Sequence, residues 1–155
     1  MTMNNIVDTL MSNYWNGKLP VDPILIANAL HISVYERGLN PDKFNTHGMY
    51  TEYNTVKTIS YHANDSLIFQ RFIIAHMLGH SYLQHTQPKI ETLDIIYSKD
   101  QDEIQANQFA KLLLMPKHLV EYYYSSKNII SLEHLANIFG VSKDAMGYRL
   151  LEINQ

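Results

Sequence analysis

A mostly helical α+β fold is what this 155-residue chain predicts, and three observations carry the prediction. Apolar residues recur at the helical period along most of the length. Three short runs rich in β-branched and aromatic residues interrupt them between residues 32 and 62. Asp22, Ser131 and Ser142 stand immediately ahead of helical runs, where an oxygen is needed to accept the unpaired N–H groups of the first turn. The expected architecture is one domain over residues 1–155. Residues 1–62 form helices and a small three-stranded antiparallel sheet, 63–125 form long helices that carry the chemistry, and 126–155 form a C-terminal pair of helix-turn-helix outline.

The elements follow in order. Ile6, Val7, Leu10, Met11 and Tyr14 keep helical spacing up to the stop signal Asn16-Gly17, so the first helix spans about Asn4 to Trp15. Asp22-Pro23 opens a second, with aspartate as cap and proline at the first helical position, ending near His31. Strands are expected at Ile32–Glu36, Gly48–Tyr53 and Val56–His62, with a loop around Asn40 to His47. Ser66 to Gln84 reads as one long helix buried on nearly every face. Thr86 to Lys99 mixes proline with polar residues and reads as irregular. Asp102 to Met115 is helical and stops there, because the residue before Pro116 is pushed out of the α region. Pro116 opens a helix through about Tyr124, and Ser131–Phe139 and Ser142–Ile153 follow on either side of Gly140. Tyr122-Tyr123-Tyr124 reads either as a contact surface or as a helix end with one ring buried.

Composition narrows the function classes. A net charge of -3 gives no general surplus of Lys and Arg for phosphate backbones. With no cysteine, disulfides, thiolate ligands, iron–sulfur clusters and a cysteine nucleophile are excluded, and any metal must be held by His, Asp or Glu. Met1 to Leu10 lacks a basic leader with a long apolar core, and no apolar run approaches the roughly 20 residues that span a bilayer. A cytoplasmic protein is the expectation.

His76 and His80 lie four residues apart on one expected helix, so their imidazoles project from one face a turn apart. That spacing lets two neutral imidazoles share one zinc ion. Glu103, on a separate helix, supplies a carboxylate for a third position and leaves a fourth for water, the arrangement of a catalytic zinc. Asn107, one turn beyond Glu103, is placed to hydrogen-bond the free nitrogen of a ligating histidine and fix its tautomer.

Three blocks then resemble the ImmA/IrrE-type metallopeptidases. Arg71-Phe72-Ile73-Ile74-Ala75-His76-Met77-Leu78-Gly79-His80, followed by Leu83 and His85, is similar to the family's RFTxAHELGHxxLH signature. Glu103, Ala106, Asn107, Phe109, Ala110 and the run Leu113-Leu114-Met115-Pro116 resemble its ExxANxFAxxLLMP segment. Leu135-Ala136, Phe139-Gly140-Val141-Ser142, Ala145-Met146 and Arg149-Leu150 resemble its C-terminal pattern. The resemblance implies a zincin-like fold, His76, His80 and Glu103 as zinc ligands, and Asn107 as the support behind them. Arg71, Phe72 and Leu113–Pro116 read as structural, and His85, offset by five from His80, reads as pointing elsewhere.

The chain departs from the family at one position. Where the HExxH pattern has glutamate, this sequence has Met77. That glutamate moves a proton between metal-bound water and the leaving amine; methionine carries neither proton nor charge. Loss of such a group typically costs on the order of a hundredfold to ten-thousandfold in rate. His62, Glu91, His118, His134 and Tyr148 are the groups considered as replacements.

The resemblance implies a helix-turn-helix transcriptional repressor as the protein partner, often encoded beside the peptidase on mobile genetic elements. Two readings follow: a catalytically impaired pseudoenzyme that binds the repressor, or a site-specific zinc endopeptidase that cleaves it with a substitute base. A DNA-binding regulator using the C-terminal pair is the third. Its expected recognition helix sets only Lys143 and Arg149 against Asp144 and Glu152, which argues against nucleic acid.

Overall fold

The computed structural model describes residues 2–38, 46–85, 89–91, 97–129 and 131–155. Its helices are α1 (Met3–Tyr14), α2 (Pro23–Ala29), α3 (Leu67–Tyr82), α4 (Gln101–Leu114), α5 (Lys117–Glu121), α6 (Leu132–Phe139) and α7 (Lys143–Ile153). Four strands, β1 (Ile32–Arg37), β2 (Gly48–Tyr53), β3 (Val56–His62) and β4 (Lys89–Glu91), form one sheet in the order β1-β3-β2-β4. The fold is mostly helical α+β. No helix among the described residues is long and apolar enough to cross a membrane.

The helix starts lie where capping chemistry put them. Asp22 accepts from the Ile24 N–H with Pro23 in the first turn, and Ser66, Ser131 and Ser142 accept from Phe69, His134 and Ala145. Asp100 caps α4 by accepting from the N–H groups of Asp102 and Glu103. Helix α4 ends at Leu114, with Met115 outside the α region ahead of Pro116 as expected. Beyond α5 the backbone passes into a π-helical turn, Tyr122–Ser126. There Tyr123 packs edge-on to Phe139 while Tyr122 stays exposed.

The sheet departs from the antiparallel expectation. β2 and β3 do form an antiparallel hairpin, closed by Asn54 and Thr55 at φ 46° and 70°. Positive φ at both central residues gives the turn a twist that suits the flanking strands. β1, however, pairs with β3 in parallel, from Ile32 beside Lys57 to Arg37 beside His62. Side-chain alternation specifies which face of a strand is buried but not its direction; β2 carries the chain back to the starting end of β1, and β3 then inserts between the two. β4 adds a fourth strand, pairing with β2 at Gly48–Tyr50 inside the stretch read as irregular. Three residues are too few for alternation to register. Residues 86–88 and 92–96 of that stretch, and 40–45 of the expected loop, lie outside the described residues.

Helix α3 is buried from Ile73 through Ser81, with β2 and β3 against it on one side and α4 on the other. Close approach to the sheet depends on Gly48: a Cβ there would collide with Ile73 Cγ2 and sit 3.0 Å from Met77 Cε. The C-terminal pair is pinned to this core by two arginines. Half-buried Arg71 donates from Nε to the Gly140 carbonyl at 3.2 Å and from its other end to the Val21 carbonyl. Burial draws its pKa below the usual value, and Asp22 offsets part of that. Gly140 closes α6 at φ 62°, and a Cβ on it would meet Arg71 Nε at 2.8 Å, so both backbone and space require glycine.

Arg149, only 6% exposed, donates from Nε to the Met115 carbonyl at 3.0 Å and from Nη1 to Glu152 at 3.3 Å. Glu152 also accepts from Lys111 of α4. Partial burial raises its pKa, but the hydrogen bonds and charges of Lys111 and Arg149 outweigh that and hold it below the ordinary carboxylate range. With the folded pKa depressed, this link between α4 and α7 stabilises above the ordinary range and is lost as pH falls through the lowered value.

Candidate metal centre

The crossing of α3 and α4 sets the site. A Cβ on Gly79 would lie 3.1–3.2 Å from the ring and Cβ of Phe109, a fully buried residue of α4. Glycine lets the two helices approach until side chains one turn apart on α3 meet those of α4. Gly79→Ala is expected to destabilise the fold by about 1–3 kcal/mol, because a buried aromatic ring has nowhere to go. Alanine is otherwise the better helix former by roughly 1 kcal/mol, so a measured loss in a denaturant titration isolates the helix–helix contact.

At that crossing, His76 and His80, both fully buried, turn their Nε2 atoms toward each other, 2.8 Å apart. Glu103 Oε2 lies 3.1 Å from each. The three side chains that were expected to converge do so. Asn107 is also where it was expected, its Oδ1 3.0 Å from His76 Nδ1. An amide oxygen can only accept, so His76 Nδ1 carries the proton and Nε2 presents its lone pair to the cluster.

Sequence reasoning missed the corresponding support for His80. His85 Nδ1 is 2.9 Å from His80 Nδ1, and His85 Nε2 is 3.4 Å from Gln105 Oε1 and 3.8 Å from Asp102 Oδ1. With oxygen atoms on its Nε2 side, His85 is oriented to accept at Nδ1 from His80 Nδ1, which turns the His80 Nε2 lone pair toward the cluster. On a continuing helix, a residue five positions past His80 points away. Here α3 ends: Gln84 takes φ 58° and the His85 N–H donates to the His80 carbonyl at 3.0 Å, folding the ring back. Loss of the helical period after Tyr82 was the one available signal.

The donor set fits a zinc ion. Two imidazoles with Nδ1 protonated and one carboxylate suit it, and the separations of 2.8–3.1 Å are slightly under the ~3.3 Å edge of a tetrahedron with ligands 2.0–2.1 Å from its centre. Two lone pairs facing each other at 2.8 Å in a fully buried place are stabilised by a cation between them and repel without one. Glu103 is 13% exposed and marks the solvent side of the cluster.

Met77 follows His76 on α3 with no exposed surface, packed under Gly48 of β2. Of the groups considered as replacement bases, Tyr148 is exposed at the lip of an apolar groove that ends at Asn107. His62 accepts from the Asn64 N–H after β3. His118 is exposed and lines a separate cleft with Tyr122 and Leu150. His134 is exposed in the first turn of α6. The side chain of Glu91 lies outside the described residues.

Metallopeptidase ImmA of Bacillus subtilis (strain 168) is 30% identical over 96 residues, which cover 59% of this chain and 55% of that protein. A Mycobacterium tuberculosis transcriptional regulator superposes with a TM-score of 0.63 at 16% identity, covering 96% of this chain and 46% of that one, a likeness of fold alone. The chain thus spans about half the length of each of these two proteins. A peptidase family model, described as the IrrE N-terminal-like domain, matches residues 28–151, and with four-fifths of its length so matched the chain belongs to that family.

Proposed function

We propose that this chain is a zinc-binding, metallopeptidase-like protein, catalytically impaired, that acts by binding a helix-turn-helix transcriptional repressor. His76, His80 and Glu103 hold the metal, and Asn107 and His85 fix the tautomers of the two imidazoles. Bound zinc supplies a Lewis acid that polarises a carbonyl and acidifies water. The observation that carries the impairment is Met77: in the position of the family's glutamate stands a side chain that cannot take or give a proton, packed against Ile73 and Gly48 in the core. Membership of a peptidase family and likeness to ImmA support the metal chemistry.

The test is to incubate the zinc-loaded chain with the repressor encoded beside it. A stable complex with the repressor intact is expected. Cleavage that a chelator abolishes would establish an active endopeptidase with a substitute base and end the pseudoenzyme reading.

Two further observations bear on this reading. Arg149, one of two cations on the helix that a DNA-binding protein would present, is turned inward onto Met115 and Glu152, which weakens the DNA-regulator alternative. His85 has a role that can be tested separately. His85→Ala removes the acceptor that orients His80, and zinc affinity is expected to fall about 10–100-fold in a chelator competition while the fold is retained.

A further inference from the structure

A groove of about 480 Å³ runs between α3, α4 and α7 and ends beside the metal cluster. Its walls are apolar, among them Phe72 of α3, Leu114 of α4, and Val141 and Ala145 at the start of α7. It is continuous with the cluster through two residues: Asn107, whose Oδ1 holds His76, and Phe72, whose ring lies 5.9 Å from the His76 ring. Among its lining residues, Ile68 of α3 is 43% exposed and Tyr148 of α7 is 71% exposed, two large side chains left in water along the groove. The volume falls in the roughly 300–1,000 Å³ range of pockets that enclose small ligands.

The polar lining says what the groove does not take. Lys111 is the charged residue in the wall, and Glu152 of α7 answers its charge. Asn107 is engaged by His76. Neither is left to draw an anionic headgroup, so recognition here rests on apolar burial. Whatever carbonyl approaches the metal cluster has its neighbouring substituents beside this groove. For a polypeptide those substituents are side chains.

We infer that the groove between α3, α4 and α7 is a specificity pocket that seats a large apolar side chain of the polypeptide whose backbone faces the metal cluster. The inference rests on the zinc-binding, partner-binding reading above and adds the chemistry of what is bound: leucine, phenylalanine or methionine next to the metal-facing peptide group, with acidic residues excluded. Ala145, whose side chain lines the pocket from the first turn of α7, is the position from which it can be filled without touching a metal ligand.

The zinc-loaded full chain is titrated with three hydroxamates that share a metal-binding head: acetohydroxamate, the hydroxamate of N-acetyl-leucine, and octanohydroxamate. The leucine compound is expected to bind at least about tenfold tighter than acetohydroxamate, the gain from burying one large aliphatic side chain. Ala145→Trp is expected to erase that gain while leaving zinc content and acetohydroxamate binding unchanged. Equal affinity for leucine and acetyl compounds overturns the inference. So does a gain confined to octanohydroxamate, which assigns the groove to an acyl chain. A dimer of the parent chain that Ala145→Trp dissolves assigns it to a second copy and also overturns it. If the chain takes up no zinc, the metal reading fails by itself and the groove is judged separately. N-acetyl-phenylalaninamide should then shift the methyl resonances of Leu114, Val141 and Ala145 in the metal-free chain while N-acetyl-glycinamide does not; equal or absent shifts overturn the pocket.

Discussion

Replacing His76 or His80 by alanine is expected to abolish stoichiometric zinc binding, weakening affinity by a factor of a thousand or more. Each imidazole is fully buried with its Nδ1 engaged by Asn107 or His85 and its Nε2 turned to the cluster. Removing one leaves two donors, and no other His joins the group of candidate ligands among the described residues. The loss extends to stability. A ligand that binds only the folded chain stabilises it by about 4 kcal/mol when its free concentration is a thousand times its dissociation constant. Zinc should therefore raise the melting temperature of the parent and leave the alanine variants where they were. Equal zinc-induced shifts in parent and variants would remove these residues from the metal site.

Met77→Glu is the second large effect, and it runs in two directions. Restoring a carboxylate beside His76 is expected to raise cleavage of the repressor by the zinc-loaded chain at least a hundredfold over the parent, the lower end of what a general acid–base group contributes. The same change puts a carboxylate where no surface is exposed and where Ile73 and Gly48 close the space. A stability loss of about 1–3 kcal/mol is expected to accompany the gain, smaller with zinc bound because the cation opposes the buried charge. Met77→Gln separates the two effects, since it matches glutamate in shape and has no proton to exchange. It should lose stability and gain no activity. Activity gained equally by both variants would show that shape at position 77, and not a base, is what the parent lacks.

Much of this was legible in the sequence, and the reasons are local. Asp22, Ser131 and Ser142 announce helix starts because a cap is a contact between residues two or three apart, and Pro116 ends α4 for a reason confined to one neighbour, whereas the Asp100 cap, which starts α4 just ahead of the expected Asp102, went unread. His76 and His80 were paired by helical geometry and Asn107 was set one turn beyond Glu103, and the blocks that resemble the family imply all four. What was not legible depends on distant pairings. The parallel alignment of β1 with β3 is decided by how the chain returns from Arg37, which side-chain alternation does not encode. His85 was read as pointing away because its role depends on where α3 stops, and one left-handed residue, Gln84, reverses its direction. The groove is assembled from three helices whose relative positions depend on Arg71, Arg149 and the Lys111–Glu152 pair.

The proposed function stands on two imidazoles of α3 and a carboxylate of α4 binding one metal ion together. An X-ray absorption spectrum of the chain loaded with one equivalent of zinc tests it most directly. The spectrum should show two imidazole nitrogens with oxygen donors, at about 2.0–2.2 Å, and the imidazole signal should halve in His80→Ala forced to bind at high zinc. A coordination sphere of oxygen alone, or one unchanged by the substitution, would contradict it.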